Sequence, residues 1–284
     1  MVTVLGPPSR LPPPTGWQAG WYRDPYGYPL MRYYDGRGWT GHTMGVLAAR
    51  PDLGRHPVLP IGVAFGAVAV LIASLITSRF LLDALVDLEW SIAAYTAISV
   101  LVGYGPSVWW CWYASRRWGT RRPARDLGLR FRWADAGWGP IVWISAFAGE
   151  LVMILLVDLT GIPLVPNTEP IGELDADRTY VIALLIATVV AAPLVEEAVF
   201  RGLMLRGLLS RMAVVPAVAV QGVLFGLAHV DPVRGTGNIG LALVLSAVGV
   251  VLGGAAYLLR RLGPVIIAHA LFNGFVLLIV LLAS

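Results

Sequence analysis

The sequence predicts an all-α polytopic membrane bundle of seven to eight transmembrane helices, with a small β module at its N-terminal end. Three observations lead there. Of 284 residues, 57% are hydrophobic and only 13% charged, about half the charged share of an ordinary soluble domain. The apolar residues fall into seven runs, at about 58–78, 90–114, 137–157, 179–195, 213–230, 239–259 and 263–283, most of them near the length that crosses a bilayer. All 21 basic residues are arginine. They cluster in short loops beside the runs, as a topology signal does, so the net charge of +4 does not imply nucleic acid as a partner.

In chain order, residues 1–16 are Pro-rich and expected to be disordered. They lack the basic and apolar regions of a signal peptide, so insertion is expected to be signalled by the first transmembrane helix. Residues 17–43 hold Trp17, Trp21, Tyr22, Tyr26, Tyr28, Tyr33, Tyr34 and Trp39 between turn pairs such as Asp24-Pro25 and Asp35-Gly36. Aromatics spaced by turns read as two or three short strands around a self-packed aromatic core, with a peptide-binding platform as the other reading. A linker over 44–57 leads to the membrane domain, 58–284. Cys111 is the single cysteine, which excludes an internal disulfide and a Cys-based metal site.

Arginine placement fixes the orientation. Arg116, Arg117, Arg121, Arg122, Arg125, Arg130 and Arg132 follow the second run; Arg201, Arg206 and Arg211 follow the fourth; Arg260 and Arg261 follow the sixth. The loop before the fourth run holds Asp158, Glu169, Glu173, Asp175 and Asp177. If every run crosses once, the basic clusters share one side. The N-terminus is then expected in the cytoplasm and the C-terminus outside a plasma membrane. Residues 196–211 either continue the fourth helix or form an eighth element, with Pro193 bending the chain. The small residues Gly249, Gly253, Gly254 and Gly263 read as close helix packing.

Ionisable groups inside apolar helices are costly and mark functional sites. Here they are Glu150, Glu196, Glu197, Arg201, His229 and His269, with neutral Gln221 and Asn273. Glu197 and Arg201 are four apart and can pair on one helix face. Glu196 lies about 100° away and can point into a cavity. His269 and Asn273, and Phe225 and His229, repeat the four-residue spacing. A carboxylate base, two imidazoles and an amide suffice for peptide hydrolysis by activated water. The same groups could hold Zn²⁺, and the residues do not choose between the two. Interhelical hydrogen bonding is the structural alternative. Glu150 has no assigned partner: it could carry protons to the site or sit paired in the bundle interior.

Glu196-Glu197-Ala198-Val199-Phe200-Arg201, Phe225-Gly226-Leu227-Ala228-His229 and His269-Ala270-Leu271-Phe272-Asn273 resemble, in order, the Glu-Glu-x-x-x-Arg, Phe-x-x-x-His and His-x-x-x-Asn/Asp motifs of the CAAX-protease and bacteriocin-processing family of intramembrane endopeptidases. The resemblance covers about residues 120–280. It implies Glu196 as the base that activates water, with Glu197 and Arg201 organising it and His229 as the second essential group. His269 and Asn273 would support the oxyanion. It implies no required cofactor, or, in a metal-dependent version, Zn²⁺ on Glu196, His229 and His269. The Trp-rich stretch resembles a small module of unknown role found at the ends of many bacterial membrane proteins, so its partner is undefined. The expected function is an endopeptidase acting on a membrane-associated peptide or protein. The alternatives are a non-catalytic immunity or scaffold protein using the same cavity, and a proton-relay transporter, which the lack of an internal repeat disfavours.

Overall fold

The computed structural model describes residues 3–4, 18–26, 30–45, 59–165, 178–230 and 236–283. The chain divides into two compact units, Met1–Val58 and Leu59–Ser284. The acidic residues at 169–177 and most of the Pro-rich tail and linker lie outside the described residues.

The N-terminal unit is an antiparallel sheet of order β1-β4-β3-β2. Its strands are β1 (Thr3–Val4), β2 (Gly20–Arg23), β3 (Leu30–Tyr34) and β4 (Trp39–Gly45). The last three correspond to the short aromatic strands that the sequence predicts. Thr3 and Val4, expected in a disordered tail, instead pair with Thr43 and His42. The sheet also extends two residues into the expected linker. Tyr22 packs edge to face on Tyr34 and Trp39, and those two rings meet at a tilt, with ring centroids 5.3–6.4 Å apart. A sheet this small has little room for an apolar core, and an ion pair fills its centre. The Arg32 Nε donates to Asp24 Oδ1 at 2.6 Å, and both side chains are buried. Asp35 closes the β3–β4 turn by accepting from the backbone N–H groups of Arg37 and Gly38 at 2.7 Å. Those donors hold its carboxyl below the usual range.

In the second unit, α1 (Ile61–Leu85) runs on as a 3₁₀ turn to Leu88. It is followed by α2 (Ile92–Trp118), the short α3 (Pro123–Leu127) and α4 (Asp135–Leu159). Then come α5 (residues 178–209), α6 (Val214–Leu227), α7 (Gly237–Leu259) and α8 (Gly263–Ala283). Six of these are long and apolar enough to cross a membrane. Their outward faces expose Leu101, Ile144, Leu155, Leu258 and Leu282, which suits a hydrocarbon solvent rather than water. The molecule is a polytopic helical bundle.

Two expectations are refined. The 196–211 stretch continues the fourth helix as far as Leu209 rather than forming an eighth element. The fifth run yields only a 14-residue helix, α6, about 21 Å long at 1.5 Å per residue. That is short of the ~30 Å hydrocarbon layer.

α1 and α2 form a hydrogen-bonded hairpin. The Ser74 hydroxyl donates to the Gly103 carbonyl at 2.6 Å, and the Trp110 indole donates to Val63 O at 3.1 Å. A Cβ at Gly66 would lie 2.6 Å from the Trp110 ring, so glycine there allows the approach. The arginine-bearing loops meet at one end of the bundle. The Arg206 Nη1 donates to Asp126 O at 2.8 Å, the Arg261 Nε to Asp135 at 2.7 Å, and Leu262 N to Gly128 O at 3.0 Å. The basic clusters after α2, α5 and α7 therefore share a side.

Candidate active site

α5 supplies the carboxylates, and its geometry is unusual. π-Helical turns at Ile186–Ala191 and Ala198–Met204 flank the α-helical segment Ala192–Glu197. Such turns are rare and concentrate at functional sites. Their cause at the first position is readable. Pro193 has no N–H and its ring collides with the carbonyl four residues back in an α-helix, and a wider turn relieves the collision. In the wider i→i−5 register the acceptor facing residue 193 is Thr188 O. That carbonyl is claimed instead by the Asn273 side-chain amide at 2.8 Å.

Glu197 is fully buried. Its Oε1 accepts from Arg201 Nη1 at 2.7 Å and from His269 Nδ1 at 2.9 Å. Arg201 is equally enclosed. Its Nη2 donates to Gly249 O at 3.2 Å, a carbonyl shared with the Gln221 amide at 2.9 Å. The guanidinium also lies 4.4 Å from the centroid of the Phe225 ring. α6 and α7 reach this distance because both carry glycine at the contact: a Cβ on Gly249 would lie 2.9 Å from Gly222 Cα. Gly249 and Gly222 allow this close packing, which leaves the Gly249 carbonyl to Arg201 and Gln221, whereas Gly254 faces open space.

Glu196 faces elsewhere. Its Oε1 accepts from the Tyr104 hydroxyl at 3.2 Å. Its Oε2 is buried and accepts no hydrogen bond among the described residues. It lies 3.6 Å from His229 Nε2 and 3.9 Å from His269 Nε2. The His229 Nδ1 sits 2.8 Å from Phe225 O, and a carbonyl can only accept, so Nδ1 carries the proton there. The His269 Nδ1 likewise donates to Glu197. Both rings therefore turn Nε2 toward Glu196, and each orientation is fixed by its other nitrogen. The Phe225 ring touches both, 4.7 Å from His229 and 5.8 Å from His269.

Five of the six residues singled out from the sequence thus converge: Glu196, Glu197, Arg201, His229 and His269. The sixth, Asn273, is placed on the backbone of α5 rather than among the converging groups. Glu150 is half-buried on α4 and hydrogen-bonds to none of them. Sequence reading did not single out Tyr104, the Gly249 carbonyl as a partner of Arg201, or the structural part played by Phe225. Phe225 carried a signal in its four-residue spacing to His229, and Gly249 in its spacing to Gly253; Tyr104 carried none.

Glu196 Oε2 and the two Nε2 atoms are the donors that a divalent ion would use. Each histidine has the outer-sphere partner that metal ligands usually have. As arranged, no group of three or more His, Cys, Asp or Glu among the described residues is close enough to hold an ion.

Residues 178–275 match the model of a family described as Type II CAAX prenyl endopeptidase Rce1-like. That span includes all three motifs, and the resemblance read from them is borne out over it. Residues 19–52 match a family described as protein of unknown function, DUF2510, in agreement with the reading of the Trp-rich module. Comparison with curated proteins and with solved structures gives no match.

Proposed function

We propose that the chain is an intramembrane endopeptidase in which Glu196 activates water to hydrolyse a peptide bond of a membrane-associated peptide or protein. One observation carries the reading: a buried carboxylate oxygen, free of donors, faces two imidazole nitrogens of fixed orientation. Glu197 also keeps one buried oxygen without a partner among the described residues, but its charge is offset by Arg201 and its other oxygen is held by Arg201 and His269; the two Nε2 atoms face Glu196. A free oxygen beside two imidazoles is what a general base needs.

In the proposed reaction, Glu196 Oε2 takes a proton from water while the water oxygen attacks the scissile carbonyl carbon. His229 Nε2, at the partly open side of the site, stabilises the oxyanion when its imidazole is protonated. His269 Nε2 orients the water. When the intermediate collapses, the C–N bond breaks and Glu196 returns the proton to the leaving amine. Glu197 and Arg201 cancel each other's charge and hold His269 in place. Asn273 acts indirectly, by holding the turn of α5 that carries Glu196. Were Zn²⁺ bound, Glu196, His229 and His269 would hold it and it would supply Lewis acidity. The arginine-rich loops support a plasma-membrane location with those loops and the N-terminus in the cytoplasm.

The test is cleavage of a pooled library of membrane peptides by purified wild type and Glu196→Gln, with and without chelator. Loss of at least about 100-fold in the variant, with activity kept in chelator, is expected. Loss in chelator restored by zinc would make it a metalloenzyme. Equal cleavage by both proteins would leave only a peptide-binding protein.

A further inference from the structure

Resting on that reading, we propose that Tyr104 is a positioning residue for Glu196, which makes the α1–α2 hairpin part of the catalytic unit. Residue 104 lies outside the three motifs and outside the matched span 178–275. It nevertheless makes a direct hydrogen bond to the base.

An ionised carboxylate can only accept, so the phenol is the donor in the 3.2 Å contact to Oε1. That bond distinguishes two otherwise equivalent oxygens. Oε1 is occupied and Oε2 is left facing His229 and His269. The last torsion of a glutamate is broad and nearly two-fold. Without the hydroxyl the carboxylate would sample other rotations, and fewer molecules would present an oxygen to water.

The placement of Tyr104 is itself built. Its neighbour Gly103 packs on α1, with Ser74 on its carbonyl and the Leu75 side chain 3.3 Å from where a Cβ would stand. Tyr104 also lines an apolar cavity of about 570 Å³ between α2 and α5, together with Val108, Trp109, Ala191 and Val195. The ring meets this apolar space while the hydroxyl meets the carboxylate, the division that tyrosine suits. Phenylalanine would fill the same volume and leave Glu196 unoriented.

The experiment uses the full chain and the peptide that wild type cleaves fastest from the library. Tyr104→Phe is expected to lower kcat about tenfold, as loss of one hydrogen bond to a charged group does, with KM within about twofold and an unchanged melting temperature. Tyr104→Met, which also fills the site without a hydroxyl, gives the same loss. A second readout needs no turnover. Infrared difference spectra of each protein against its Glu196→Gln counterpart isolate the Glu196 carboxylate bands, and Tyr104→Phe shifts them.

Wild-type kcat with unshifted bands overturns the proposal. So does a raised KM at unchanged kcat, which would make Tyr104 a cavity wall only. If Glu196→Gln is inactive while Tyr104→Phe is fully active, this inference alone fails. If Glu196→Gln cleaves as well as wild type, the proposed function fails and takes this inference with it.

Discussion

Arg201 is a cation sealed from water, and its surroundings explain why arginine stands there. One guanidinium nitrogen reaches Glu197, another reaches Gly249 O, and the planar face lies near Phe225. A lysine ammonium has no planar fork to serve these directions at once. Removing one member of a buried pair leaves the other charged and unpaired, at a cost of about 3–5 kcal/mol. Arg201→Ala is therefore expected to destabilise the protein by about that amount in thermal or denaturant unfolding. The double variant Arg201→Ala/Glu197→Gln recovers a measurable part of it. Glu196→Gln costs little by the same measure, because Oε2 has no donor to lose. If Arg201→Ala unfolds like wild type, the pair does not hold the bundle and its place in the motif needs a catalytic explanation. The sequence separated these adjacent glutamates, because a four-residue spacing assigns the second to Arg201. It could not reveal Tyr104, whose contact with Glu196 spans 92 positions and exists only once α2 has packed on α5.

At the scale of elements, the seven apolar runs were legible because hydrophobic length is itself the physical signal. The interruptions were not. A π turn adds one residue to a helical turn with no change of composition, so the turns at 186–191 and 198–204 leave no mark on the apolar pattern. Pro193 marked the place, and beside it the helix widens into a π turn. Asn273 completes that adjustment, and this is testable as a pair. Asn273→Ala strands Thr188 O in an apolar interior, which costs about 1–3 kcal/mol. In a Pro193→Ala background a backbone N–H is restored nearby, and the same substitution is expected to cost less. The coupling should be at least about 0.5 kcal/mol in a double-mutant cycle. Additive costs would show that Asn273 and Pro193 do not share that carbonyl. The end of α6 was equally hidden, since the sequence stays apolar to Val230 while the helix stops at Leu227.

For the molecule as a whole, the two units have different physics. The N-terminal sheet stabilises itself with aromatic edges and a buried ion pair, whereas the bundle relies on glycine-permitted contacts and internal polar pairs. The short α6 bears on the medium as well as on the protein. It turns Val215, Val223 and Leu227 outward, yet is some 9 Å shorter than an average hydrocarbon layer, taking 1.5 Å per residue. Lipids beside a hydrophobic element shorter than the layer compress or tilt, at a cost for each ångström of mismatch. Local thinning would lower the barrier for water reaching a hydrolytic centre otherwise surrounded by oil. Reconstituted into phosphatidylcholine bilayers of decreasing acyl length, the protein is expected to turn over its peptide faster until the longer helices are themselves mismatched. A rate indifferent to thickness would mean that water arrives through the bundle. A rate that rises would make the membrane a working part of the catalyst, supplying one of its two substrates.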